Sequence, residues 1–314
     1  MAHNNKEHSP VRHTAGQREN APRVAITGIT GYVGRELARL LAGSGSEILG
    51  LTRQSPSAVP ELPSSVQLHP IGERTEALRE LFAQFRPHVV IHLAALARRN
   101  HLVTDVTPFF EANILLGTRL LEAMRLCGCD RFITAESVLQ FSDNGEPRAT
   151  NLYAATKQAF ADILLYYTNA FDIASIALVL PTLYSEHETR PKLMTDIAEA
   201  VLNGTSLDLH AGDIKVDFVH IEDVARAFVR ASGILADRTP QSGTLSRYWI
   251  SSGMNVTPLE LVTLFERFSE KKIDVRWQHS KINFRRMSPW CGPVLPGWTP
   301  RIGLEAGIKR MLSR

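Results

Sequence analysis

From Arg23 onward the chain predicts an α/β architecture, a doubly wound parallel sheet followed by a smaller, discontinuous lobe, and three observations carry that expectation. Short β-branched runs alternate with longer stretches of helical period. The first run leads directly into glycines spaced three apart and then into an amphipathic helix. The runs are nearly continuous in apolar residues, as strands are when helices cover both faces of a sheet. Together these features describe a Rossmann-type fold.

The predicted strands are RVAIT (23–27), EILGLT (47–52), HVVIHL (88–93), RFIT (131–134) and IASIALVL (173–180), with helical patterns near 33–43, 74–85, 108–127 and 153–170. After Leu180 the character changes to Pro-, Gly- and charge-rich loops around a helix near 191–203, the strand VDFVH and a helix from Glu222. The division expected is a disordered tail over 1–20, a dinucleotide-binding domain over 21–180 that carries a catalytic helix, and a substrate lobe over 181–314, partly woven back into the first.

Composition removes several function classes. A net charge of +3, with Lys and Arg scattered, offers no stripe for nucleic acid. The polar opening MAHNNKEHSPVRHTAGQREN lacks the apolar core of a signal peptide, and no run reaches the roughly 18 apolar residues of a membrane span. Three cysteines, two of them in Cys127-Gly128-Cys129, form no paired framework, so a reducing, cytoplasmic setting is expected. No metal site is expected, and His88 and His92, set in an apolar strand, read as satisfied core or edge histidines.

In GITGYVG, Gly28 suits the tight turn, Gly31 lets backbone amides approach a pyrophosphate, and Gly34 lets the helix pack on the strand. Thr30, Tyr32 and Val33 complete the loop that would touch the cofactor. Arg53 follows the second strand where an acidic residue would bind a ribose 2′-hydroxyl. A guanidinium there suits a 2′-phosphate, which favours NADP(H) and leaves NAD(H) open. Ala94, Ala95 and Ala97 are small residues at the carboxyl end of the run from His88, where they leave room for a cofactor; Leu93 and Pro181 are expected to contact it as well.

Tyr153 and Lys157 lie i,i+4 in NLYAATKQAFADILL, on one face of a helix. A free phenol titrates near 10. An adjacent ammonium and an oxidised nicotinamide favour the phenolate, which suits acid–base work at neutral pH, and Lys157 could also hold the nicotinamide ribose.

The succession GITGYVG, VIHLAALA, EANILLGTRLLEA, YAATK, LVLPTLYSEHETRPKL, DFVHIEDVARAF and PGWTPRIGLEAGIKR resembles the NAD-dependent epimerase/dehydratase family of extended short-chain dehydrogenases, from about Arg23 to the C-terminus. NLYAATKQAFADIL followed by RPKL looks closest to the nucleotide-sugar 4-ketoreductases such as CDP-abequose and CDP-paratose synthases. The resemblance implies a nucleoside-diphosphate-sugar substrate in the cleft between the two lobes and a homodimer built from two helices per subunit. The chain departs from the family pattern at three places. Ala135 stands where a serine or threonine is usual, with Leu139-Gln140 for Tyr-Gly. Val216 stands where a phosphate-binding arginine is common, with Lys215, Arg190 or Lys192 as replacements. Near Gly72-Glu73 the usual acidic residue is replaced, leaving adenine recognition unassigned.

The leading function is NADPH-dependent reduction of a 4-keto-6-deoxyhexose carried on a nucleoside diphosphate, with Tyr153 as proton donor. Epimerisation and 4,6-dehydration are the alternatives, and from another class a non-catalytic NADP-binding sensor. Dehydratases of the family use an adjacent acid pair, whereas Thr-Ala-Glu-Ser holds only Glu136. For the missing hydroxyl, Thr134 and Ser137 are the neighbours. Side chains alternate along a strand, so Thr134 should point away from the face of Ala135 while Ser137 returns to it, and Ser137 is expected to serve.

Overall fold

The apolar runs pair in parallel and the helical stretches cover them in the computed structural model, which describes residues 21–313 apart from 54–58, 60–61, 73, 143, 189, 211–214, 238–242 and 279–291. Residues 1–20, read above as a tail, and Cys291 lie outside the described residues. In chain order the first half holds β1 (Arg23–Thr27), α1 (Tyr32–Gly43), β2 (Glu47–Thr52), β3 (Val66–Pro70), α2 (Thr75–Phe85), β4 (Val89–His92), α3 (Val106–Phe110), α4 (Leu116–Cys127), β5 (Arg131–Ser137), α5 (Leu152–Phe171) and β6 (Ala174–Leu180). The second holds β7 (Thr182–Tyr184), α6 (Leu193–Asn203), β8 (Leu207–His210), β9 (Val216–His220), α7 (Ile221–Asp237), β10 (Leu245–Trp249), β11 (Asn255–Val256), α8 (Pro258–Ser269), β12 (Val275–Gln278) and α9 (Leu304–Leu312).

The main sheet runs β10-β6-β5-β4-β1-β2-β3, parallel throughout. Against one face α1 and α7 bury Leu37, Leu41, Val224 and Phe228; against the other α2, α4 and α5 bury Phe82, Leu120, Met124, Phe160 and Leu164. β1 lies between β2 and β4, so the strand order reverses there and the following segments leave to opposite faces. Such a reversal opens a crevice at the carboxyl ends of the strands. A smaller core around Met194, Ile197, Phe218, Phe265 and Ile308 joins α6, α8 and α9 to the short sheet β11-β9-β7.

Four elements differ instructively from the sequence reading. β5 continues three residues past Thr134, because Ala135, Glu136 and Ser137 pair with Leu178, Val179 and Leu180 of β6. β4 is one residue shorter at each end than 88–93. The helix expected over 108–127 is interrupted by a π-helical turn, Glu111–Leu115. β10, whose residues are all only partly buried, closes the main sheet from far downstream. Among the described residues no helix is long and apolar enough to cross a membrane.

At one level across the sheet sit Thr27, His92 and Thr134. His92 is fully buried against Phe132 and Phe160, and its Nδ1 meets Thr27 Oγ1 at 2.7 Å. Burial, reinforced by the Lys157 charge, pushes this imidazole down to about 3. Its folded value is below the unfolded one, near 6.5, so the unfolded chain binds the extra proton between them and stability falls as pH drops through that window. One such group contributes a slope of about 1.4 kcal/mol per pH unit. Denaturant unfolding between pH 6 and 4 should therefore show His92→Gln with a slope shallower by that amount; equal slopes would mean His92 is protonated in the fold.

Candidate active site

The nucleotide end is built from backbone. Gly28 has φ of +70°, and a Cβ there would come within 2.7 Å of the Ala94 amide nitrogen, so the turn after β1 presses directly on the end of β4. A Cβ on Gly34 would overlap the Gly28 carbonyl oxygen, which explains the glycine where α1 crosses back over the loop. Gly31 caps α1 in an extended conformation, with no side-chain cap and no acidic residue in the first turn. The first amides of a helix have no intrahelical acceptor, so those of Tyr32, Val33 and Gly34 face the crevice as donors with the positive end of the helix dipole behind them. This cradle fits a pyrophosphate. Thr30 lies in the same turn, while Leu93, Ala94, Ala95 and Pro181 follow the ends of β4 and β6. Leu93 donates to the Thr27 carbonyl (3.2 Å) and Ala94 to Thr27 Oγ1 (3.3 Å), so β1 and β4 stay joined to the rim. Arg53 is exposed at the end of β2.

The chemical end lies where α5 begins. Asn151 caps the helix, its side chain accepting from Ala154 N at 2.9 Å, and this fixes the first turn that carries Tyr153. Tyr153 and Lys157 are one helical turn apart, and the Ser137 side chain lies within interaction range of the Tyr153 phenol. Burial pushes the phenol up, and the Ser137 side chain opposes that rise. Lys157 is buried as a cation. Desolvation draws it down to about 8, and the negative charge of Glu136 works against this. Thr134 is also buried, but its hydroxyl turns into the sheet toward the His92 carbonyl at 3.5 Å. Ala135 packs against the apolar core. The structure thus brings Tyr153, Lys157 and Ser137 together and leaves Thr134 inside the sheet.

Two residues take supporting roles that the sequence did not suggest. Asn113, in the π-helical turn, receives the Leu96 amide (2.8 Å) and donates to the Leu96 carbonyl (3.1 Å) and to Thr156 Oγ1 (2.9 Å). It ties the segment after β4 to α5. A π turn inserts a residue and rotates the helix face, which a strict 3.6 period does not anticipate. Glu136 is the second support: its buried carboxylate takes the Arg247 guanidinium through two bonds of 2.6 and 3.1 Å.

The expected substrate cations divide. Arg190 and Lys192 both reach Glu188, at 2.7 and 2.8 Å, and both stand over the Tyr32 ring, 5.1 and 5.2 Å from its centre. Burial alone would raise Glu188; the two cations outweigh it and hold the carboxyl down to about 2. The Tyr32 hydroxyl donates to Ser185 Oγ at 2.7 Å, so this segment rests on the glycine loop. Lys215 is exposed before β9, where its charge bears on Glu260 instead. Among the described residues one cluster has metal-ligand chemistry: Glu186, His220 and Glu222 bring ligand atoms within 4.8 Å of one another. Arg310 already donates to Glu222 at 2.8 Å, and His220 Nδ1 accepts the Glu222 amide, so a guanidinium balances the charge there. Cys127 and Cys129 are free thiols pushed up by burial, Cys129 to about 12.

Comparison with known proteins gives a consistent result. Residues 24–238 match the family described as NAD dependent epimerase/dehydratase. A CDP-abequose synthase of Salmonella muenchen is 24% identical over 93% of this chain and 97% of its own length. A UDP-glucose 4-epimerase of Mycolicibacterium smegmatis (strain ATCC 700084 / mc(2)155) is 26% identical with the same two coverages. The crystal structure of the Thermus thermophilus UDP-glucose 4-epimerase complexed with NAD superposes with a TM-score of 0.74 at 25% identity, covering 93% of this chain and 98% of that one.

Proposed function

Because the chain belongs to the NAD-dependent epimerase/dehydratase family, we propose that it is a cytoplasmic reductase of a nucleoside-diphosphate-linked 4-keto-6-deoxyhexose, with NADPH as its preferred cofactor. The observation that carries this reading is the Tyr153 phenol, placed near Ser137 and set one helical turn from the buried Lys157, at the carboxyl ends of the strands where the glycine loop opens. Bound NADPH would supply the hydride. The chain's own part is to hold and protonate the carbonyl. Ser137 and Tyr153 both offer donors to its oxygen, Tyr153 gives up its proton as charge builds there, and the Lys157 cation stabilises the phenolate left behind. Arg190 and Lys192 are the cations proposed to meet the substrate diphosphate, in exchange for part of their pairing with Glu188.

Dehydration is disfavoured because Glu136, the one acid of Thr-Ala-Glu-Ser, is committed to Arg247. Epimerisation is the second reading, favoured by the likeness to UDP-glucose 4-epimerases. Stoichiometry separates the two: a reductase oxidises one NADPH per ketosugar consumed, whereas an epimerase interconverts sugars with no net cofactor oxidation.

The assay is NADPH oxidation against a panel of CDP-, dTDP-, UDP- and GDP-linked 4-keto-6-deoxyhexoses. With the accepted substrate, Tyr153→Phe should lower turnover by roughly 10² to 10⁴ with cofactor binding retained. Ser137→Ala should lose about 10² to 10³, and Thr134→Val should stay close to the parent. A reversed order of the last two would make Thr134 the donor.

Cofactor choice rests on Arg53. NADPH should bind more tightly than NADH by about 1.5 to 3 kcal/mol, the worth of one charge-assisted phosphate contact, and Arg53→Ala should erase the difference. Equal affinities in the parent would show that Arg53 takes no part.

A homodimer is the third element of the proposal. Phe110, Leu115, Leu165, Tyr166 and Phe171 of α3, the π turn and α5 leave large apolar side chains exposed, and contiguous apolar exposure marks an interaction face. Light scattering should give twice the chain mass for the parent and the single-chain mass for Leu165→Glu combined with Tyr166→Glu; a monomeric parent excludes the dimer.

A further inference from the structure

We propose that Glu136, clamped by Arg247, is a positioning residue that keeps Lys157 charged in its buried site. This rests on the reading of Lys157 as part of the chemistry, and it assigns a task to an ion pair which that reading leaves unused.

The geometry follows from the register of β5 against α5. Phe132 of β5 packs edge-on to Phe160 of α5, ring centres 6.3 Å apart. Side chains alternate along a strand, so Thr134 and Glu136 share the face of Phe132 and rise in turn toward the crevice. On α5 the same climb passes from Phe160 to Lys157 and then to Tyr153, since residues three and four apart line one helix face. Glu136 therefore arrives near the level of Lys157 and Tyr153, one residue before Ser137.

A buried carboxylate can act on a neighbour only if it is held in place and its own charge is paired, and the surroundings of Glu136 provide both. Its side chain is 2% exposed, and the Arg247 fork engages both oxygens. The guanidinium is itself held over the Phe141 ring, 5.4 Å from its centre, and Phe141 packs on Trp249 two residues along β10. Edge strand β10 thus delivers the cation that fixes the acid. The titratable groups that act on or respond to Lys157 are Glu136 from β5 and His92 from β4, with Tyr153 one turn away on the same helix. His92 is neutral in the fold, leaving Glu136 as the negative charge that opposes desolvation of the ammonium.

The test reads Lys157 directly. Full-length protein labelled with ¹³C at lysine Cε is titrated by NMR with NADPH bound, the Lys157 signal being identified by its loss in Lys157→Met. Glu136→Gln should lower the titration midpoint by about one pH unit or more, a tenfold or larger loss of proton affinity. Glu136→Asp should restore most of it. Glu136→Gln leaves Arg247 without its partner, so Glu136→Gln combined with Arg247→Met serves as the well-folded counterpart, with the same direction of shift expected. A midpoint unchanged in both variants overturns the proposal. Turnover of Lys157→Met is a separate reading: if it stays near that of the parent, the assignment of Lys157 to the chemistry fails, whatever the titration shows of Glu136.

Discussion

The contact on which the rest depends is backbone against backbone, where the turn at Gly28 lies on the amide of Ala94. Nothing larger than hydrogen fits between them, so β1 and β4 end at one level and the segments leaving them diverge. The glycine loop then has one way to turn, into the N-terminus of α1, and Leu93 to Ala95 have one way to run, along the rim. From that rim Asn113 reaches Thr156 and fixes α5 relative to β4. The phenol and the ammonium are therefore placed by a chain of short polar contacts that begins at a glycine.

What the sequence made legible was what is local. GITGYVG, the apolar strands 23–27, 47–52 and 173–180, and the i,i+4 pair of Tyr153 and Lys157 all read correctly as elements, because period and turn chemistry act over a few residues. The end of β5 did not. Ala, Glu and Ser are poor strand formers, and they extend the strand only because β6 supplies partners for each, which no local pattern records. Position Ala135 was the natural place to look for the missing hydroxyl, yet three more residues of strand and a 3₁₀ turn at Val138–Gln140 put Ser137 beside the phenol. Strict alternation would send Ser137 to the face of Ala135, away from α5; its place at the last residue of β5, where the 3₁₀ turn begins, is what leaves it near the phenol. Glu136 and Arg247 stand 111 residues apart, beyond any spacing rule.

Charge in the interior follows one habit throughout. Glu136 has Arg247, Glu188 has Arg190 and Lys192, and Asp223 has Arg226 together with the amides of Arg301 and Ile302. A buried ion is costly unless paired and hydrogen-bonded, so Glu136 and Asp223 are also anchors for remote segments. Asp223 holds the stretch ahead of α9, and Glu188 gathers its two cations over Tyr32. Arrangement of charge, more than its total, sets the character of the cleft.

The position of β10 bears on how the chain is made. It pairs with β6 along Leu245–Trp249, and α7 packs on α1 just before it, so the sheet opened by Arg23 is finished only by residues far along the chain. Until those residues leave the ribosome, β6 carries a free edge and the face of α1 lacks Val224 and Phe228. An unpaired strand edge with bare apolar surface is the form in which nascent chains associate wrongly. Elongation at about 5 to 20 residues per second keeps that state open for seconds. During this interval a holding chaperone has most to offer, and a gene cut between β6 and β10 yields a product exposed in the same way permanently.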